Sequence, residues 1–342
     1  MNYCVEVFCG KESIQKTPCV SVPPYLHGCI SPWLYLSVAF ISVTPTPGRP
    51  FLAKPEKTKI FAGMATKAKT SPKKKTLPAK KSSKASVKKE RPVILITNDD
   101  GVTAPGIRNL VEAVKDMGKI YVVAPDKPQS GMGHAITIGQ PLRLHKIHSI
   151  ENVETWSCTG TPVDCVKLAV DKVLHRKPDL CLSGINHGAN HSINVIYSGT
   201  MSAAMEAAIE SIPSAGFSLL DHNIEADFTG ARKYVRIIVE KMLNSQLDKH
   251  TLLNVNIPSV PAELLNGFKI CRQAYAKYEE DFIERNDPHG RHYYWLTGEF
   301  VNFDKGEDTD VSALANNFVS VVPVQFDLTN YVLKSQLEKT WQ

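Results

Sequence analysis

Two carboxylates side by side, Asp99 and Asp100, follow an almost wholly apolar run, Val93-Ile-Leu-Ile-Thr97. Successive side chains of a strand point to opposite faces, so adjacent carboxylates converge only if the chain turns there. Gly101 comes next and permits a sharp turn. Paired carboxylate oxygens suit a hard divalent cation, Mg²⁺ or Mn²⁺. By itself Asn98-Asp-Asp-Gly101 reads first as an ordinary turn.

Two later segments repeat the theme. Val122-Val-Ala124 leads into Pro125-Asp-Lys-Pro-Gln-Ser-Gly-Met-Gly133, centred on Ser130. Leu180-Cys-Leu-Ser183 leads into Gly184-Ile-Asn-His-Gly-Ala-Asn190, which carries Asn186 and Asn190. Three junctions that each offer short oxygen-bearing side chains among glycines suggest one site. A fourth segment, Tyr197-Ser-Gly-Thr-Met-Ser202, opens an Ala-rich helix. There Ser198, Gly199 and Thr200 would either bind phosphate through backbone N–H groups and hydroxyls or simply cap the helix. Gly160-Thr-Pro-Val-Asp164 also begins a helix and reads as a cap before it reads as part of a site. No G-x-G-x-x-G follows the first strand, which argues against a dinucleotide enzyme.

The elements that must position these residues alternate. Val93–Thr97, Ile120–Ala124, Leu180–Ser183, Ala215–Leu219 and Leu252–Ile257 read as buried strands. Helices are expected from Pro105, over 162–174, over 200–211 and over 227–243. This alternation predicts an α/β fold, a doubly wound, mostly parallel, Rossmann-like sheet that binds its ligand beyond the strand ends. Residues 92–258 would form the catalytic core. Residues 259–342 read as hairpins, loops and a short terminal helix, an accessory or oligomerisation element.

Charge is divided unevenly. The chain of 342 residues carries +6, but residues 65–91 alone carry +10 and residues 1–64 carry +3, which leaves residues 92–342 at −7. An acidic domain acting on an anion needs a cation to offset repulsion. The Lys-rich run from Met64 lacks aromatic residues and is expected to be disordered. Residues 1–91 are thus read as an extension, with Met64 as the expected true start. Weak nucleic-acid contact by the tail is the competing reading, against which the acidic folded part counts. Ile30–Val43 is apolar for only 14 residues, short of the ~20 that span a bilayer. Cys158, Cys165, Cys181 and Cys271 are scattered without metal spacing, which fits free thiols in the cytoplasm.

Taken together, ILITNDDGVTAPGI, VVAPDKPQSG, GTPVDC, LSGINHGAN and VIYSGTMSAAMEA resemble, in order, the SurE family of survival-protein acid phosphatases that act as 5′/3′-nucleotidases. The resemblance spans residues 92–330, with a weaker echo in DTDVSAL and FVSVVPVQFDLT. It implies one divalent cation held by Asp99, Asp100, Ser130 and Asn186. It also implies a homodimer or homotetramer whose C-terminal segment reaches a neighbouring subunit. Phosphate contacts are expected from Asn190, Ser198, Gly199 and Thr200. One departure lies at His191-Ser-Ile-Asn194, where family members carry small and acidic residues, and this bears on substrate preference.

The expected chemistry is hydrolysis of nucleoside monophosphates by cation-activated water, with Asp99 and Asp100 central to catalysis. Attack by a carboxylate is the alternative route. His134, His187 and His191 are candidate general acids, or plain loop histidines. Exopolyphosphatase or broad phosphatase activity is the alternative function.

Overall fold

Ile94 and Ile96 point to one side of the first strand and Leu95 to the other, and all three are fully buried, as a central parallel strand requires. The computed structural model of the chain describes residues 91–341. The expectations for the Lys-rich run, the start at Met64 and the apolar stretch Ile30–Val43 fall outside those residues.

The elements run β1 (Val93–Thr97), α1 (Pro105–Val114), β2 (Lys119–Pro125), β3 (Leu144–Ile147), β4 (Glu154–Cys158), α2 (Pro162–Leu168), β5 (Leu180–His187), α3 (Gly199–Ile209) and β6 (Ser214–Leu219). They continue with α4 (Thr229–Asn244), β7 (Leu252–Ile257), β8 (Phe268–Ile270), β9 (Ala276–Asn286), β10 (His292–Asn302), α5 (Asp310–Ala315), β11 (Val319–Val324) and α6 (Tyr331–Trp341). One sheet has the order β3-β4-β2-β1-β5-β6-β7-β11-β8. The strands from β4 to β7 in that order run parallel, while β3 and β11 join antiparallel. Chain order reverses between β1 and β5, so a crevice opens at their carboxyl ends.

Helices cover both faces. Ile107, Leu110, Val111 and Val114 of α1 pack with Tyr234, Val235, Ile238 and Val239 of α4 over Ile94 and Ile96. Cys165 and Val166 of α2 and Ala203 and Ala207 of α3 pack over Leu95 and Val123 on the opposite face. Small alanines let α3 lie close to the sheet.

The sheet departs from the sequence reading in three places. First, β3 and β4 were not foreseen: β3 is a partly exposed edge strand, and β4 mixes polar with apolar residues. Second, the sheet does not stop at residue 258, because β11 pairs antiparallel with β7 and carries β8 beside it. Pro323 within β11 had masked its strand character. Third, β5 runs on to His187 instead of ending at Ser183, through a register shift between Ser183 and Asn186. Asn186 therefore sits on the tip of a strand and not in a free loop. The long hairpin β9–β10 forms a separate two-stranded sheet, in line with the hairpin expected after 258. No helix among the described residues is long and apolar enough to cross a membrane.

Candidate active site

At the end of β1 the buried Asn98 donates its side-chain N–H to the Gly101 carbonyl at 2.9 Å, closing the turn on which the carboxylates sit. Gly101 takes φ of +99°, a conformation that side-chain-bearing residues rarely adopt. The backbone N–H of Gln129 donates to the Asp99 carbonyl at 2.8 Å, tying the loop after β2 to the same turn.

The two carboxylates lie in unlike surroundings. Asp99 is buried and accepts a hydrogen bond from the Thr200 hydroxyl. Burial pushes its pKa up from 3.8 to about 6; Thr200 pulls it down and the Asp100 charge pushes it up. Asp100 is half-buried, and its Oδ2 lies 3.3 Å from both the backbone nitrogen and Nδ1 of His187. His187 in turn packs edge-on against Phe228, with ring centroids 5.3 Å apart. Its Nε2 is enclosed without a partner. Asn186 donates its Nδ2 to the Gly188 carbonyl at 2.8 Å, which leaves Oδ1 as the atom it can offer outward. Asp99, Asp100, Ser130 and Asn186 line one cleft of about 710 Å³. Among the described residues no three His, Cys, Asp or Glu side chains cluster as a metal site. A cation held here would therefore take two carboxylates with a hydroxyl and an amide oxygen, a hard, oxygen-only set suited to Mg²⁺ or Mn²⁺. A pair of carboxylates, one of them buried, leaves a charge debt that such an ion would cancel.

A family model described as Survival protein SurE matches residues 94–280. The chain belongs to the SurE family. A protein named 5′-nucleotidase SurE from Christiangramia forsetii is 58% identical over 243 residues, covering 70% of this chain and 94% of its own. Another of that name, from Flavobacterium psychrophilum, is 60% identical over 241 residues, covering 70% and 93%. The solved structure of a SurE protein from Aquifex aeolicus superposes with a TM-score of 0.65 at 41% identity, covering 73% of this chain and all of its own.

Not every expected contact of the SurE motifs opens into the cleft. Asn190 and Ser198 line it. Asn190 is fixed from three sides: its Nδ2 donates to Ser218, its N–H to Asn256, and its carbonyl accepts from Asn254. Ser198 caps α3, accepting from the Met201 N–H at 3.0 Å. Gly199 and Thr200 lie beneath the surface instead. The Thr200 hydroxyl is committed to Asp99, and a Cβ on Gly199 would come within 2.7 Å of the Asp99 Cβ. The Thr200 hydroxyl thus seats Asp99, and the bare Cα of Gly199 leaves room for it.

Of the three candidate histidines only His187 lines the cleft. His134 lies 2.9 Å from Glu206, a buried residue of α3 that also binds Lys167 of α2. His191 packs edge-on against Phe300, with centroids 4.9 Å apart, and burial lowers its pKa. The Gly160–Asp164 motif caps α2 through a reciprocal Thr161–Asp164 box. It also pins the segment after Ser130: Thr161 donates to the Ala135 carbonyl at 2.7 Å, and Thr137 donates to Asp164 at 2.6 Å.

Sequence reasoning missed His222, Tyr197 and the far wall, which β9 and β10 supply through Tyr278, Glu280, Leu296, Thr297 and Gly298. Tyr197 stands within a quoted motif but was given no role there, His222 lies in a loop outside every motif, and strand alternation was the only signal for the β9 and β10 residues. Buried Asp310 roots the hairpin: it accepts from the Ser192 and Ala274 N–H groups at 2.8 and 3.0 Å.

Proposed function

We propose that this SurE-family protein is a 5′-nucleotidase that hydrolyses nucleoside monophosphates with one divalent cation, Mg²⁺ or Mn²⁺. The observation that carries this reading is the meeting of Asp99, Asp100, Ser130 and Asn186, from three strand ends, along one cleft. The names borne by the relatives support the choice of nucleotides.

In this reading Asp99, Asp100, Ser130 and Asn186 hold the cation. When bound, it supplies Lewis acidity, offsetting phosphoryl charge and acidifying water. Thr200 holds the inner carboxylate of Asp99 by its hydroxyl, and His187 orients Asp100 through Nδ1. Because Nε2 of His187 is enclosed, this histidine positions a carboxylate and is not the proton donor. That role falls to the imidazole of His222, which is exposed and lines the cleft, and which would protonate the departing 5′ oxygen. Ser198 and Asn190 contact the phosphate from the α3 side.

Homo-oligomerisation belongs to the same proposal. Trp295 and Leu296 of the hairpin are 62% and 61% exposed, and Trp341 of α6 is 79% exposed, large apolar side chains of the kind that subunit contacts cover. The four described cysteines are free and buried, which suits a reducing cytoplasm. The test is phosphate release from nucleoside monophosphates with Mg²⁺, with Mn²⁺ and with chelator. Release that requires the cation is expected; undiminished release in chelator refutes the reading.

A further inference from the structure

We propose that the cleft continues beyond its carboxylate floor into a nucleobase subsite whose stacking platform is Tyr278. The inference rests on the nucleotidase reading of the floor and adds the part of the substrate that the wall recognises. Tyr278 and Glu280 lie two apart on β9, so they share a face, opposite Phe300 and Gly298 of β10. That face is the one lining the cleft.

Tyr278 is 49% exposed, so much of its ring is uncovered. It is nonetheless fixed. Its ring meets Phe300 edge-on with centroids 5.4 Å apart, and Phe300 meets His191 at 4.9 Å. The aromatic chain thus begins at the departure from the family pattern, His191-Ser-Ile-Asn194, and ends at the cleft. Tyr197, before α3, lends the cleft another exposed ring, and Leu296 adds apolar area.

The lining also favours a base over a longer run of phosphates. Among the described residues no lysine or arginine lines the cleft, while Asp99, Asp100 and Glu280 do. A polyphosphate chain would run its negative charge past Glu280 with no cationic side chain to receive it. A neutral base on a single phosphate meets no such repulsion. Inorganic phosphate needs only the floor, whereas 710 Å³ with aromatic walls has the size and character of a site for a larger organic group. Stacking accepts any base face, so the subsite is expected to be tolerant of base identity.

The test compares adenosine 5′-monophosphate with ribose 5-phosphate, which keeps the sugar and phosphate but has no base. Tyr278→Ala should raise KM for the nucleotide roughly ten-fold and leave ribose 5-phosphate kinetics unchanged. Tyr278→Phe, which keeps the ring, should stay near wild type. His191→Ala should move the nucleotide KM in the same direction by less, as a positioning residue would. Equal effects of Tyr278→Ala on both substrates, or none on either, overturn the proposal. Adenosine binding, measured by calorimetry, separates the two readings. If wild type cleaves neither ester yet loses adenosine affinity with Tyr278→Ala, the nucleotidase reading fails and the subsite stands. If both esters are cleaved and adenosine binding ignores the substitution, the subsite fails alone.

Discussion

Asp99→Asn should make the cation-free protein more stable at neutral pH while removing its activity. The Asp99 carboxyl titrates at about 6 in the fold against an ordinary 3.8, so the folded state binds this proton more tightly than the unfolded one. The associated stability is fully present below 3.8 and is lost as pH rises through about 6. At about 1.4 kcal/mol per pH unit, the ionised carboxylate costs the empty fold about 3 kcal/mol above pH 7. Asparagine removes the charge, and its Oδ1 can still accept from Thr200. Urea unfolding with chelator at pH 5 and pH 7.5 reads the effect. The difference between wild type and variant isolates Asp99, because other titrating groups cancel. Asp99→Asn should gain up to about 3 kcal/mol at pH 7.5 and about half that at pH 5. Adding Mg²⁺ or Mn²⁺ should close the gap by stabilising wild type alone. Parallel pH dependences in the two proteins would refute the electrostatic argument, and wild-type turnover by the variant would refute the catalytic one.

Thr200→Val keeps the shape but removes the donor to Asp99. It should cost about 1–3 kcal/mol in chelator at neutral pH and lower turnover; unchanged stability and turnover together would contradict the seating role. Glu206→Ala frees His134 and Lys167 and so loosens the loop bearing Ser130. A metal titration should show an activation constant raised about ten-fold with a smaller fall in kcat, and an equal loss in both would count against positioning. His222→Ala should reduce kcat on nucleotides by about a hundred-fold or more. A p-nitrophenyl ester, whose leaving group needs no proton, should be spared, and equal losses on both substrates would remove His222 from proton transfer.

The parallel strands were legible because runs such as Val93–Thr97 and Ile120–Ala124 are apolar on both faces, a pattern tied to central position. Asp99, Asp100, Ser130 and Asn186 were expected together because each lies within two residues of a glycine just past a strand, and the four line one cleft. β3 and β4 were not, since edge strands carry polar residues that periodicity cannot separate from loops. The hydroxyl of Thr200 illustrates a different limit. A hydroxyl at a helix start has the same signature whether it faces a ligand or a carboxylate beneath, and it takes the fold to show that it donates to Asp99. Tyr278 and Glu280 were invisible as site residues because they lie about 180 residues from Asp99 and acquire their role only through the hairpin's return to the sheet.

The cleft is bounded by two bodies of different origin. Its floor belongs to the parallel sheet, while its far side rides on a ribbon that shares no ladder with that sheet and is moored through Asp310, Ser192 and the His191–Phe300 contact. On the proposed reading, selectivity would be modular. Exchanging the ribbon between relatives would transplant preference for one leaving group over another and leave the bond-breaking apparatus intact.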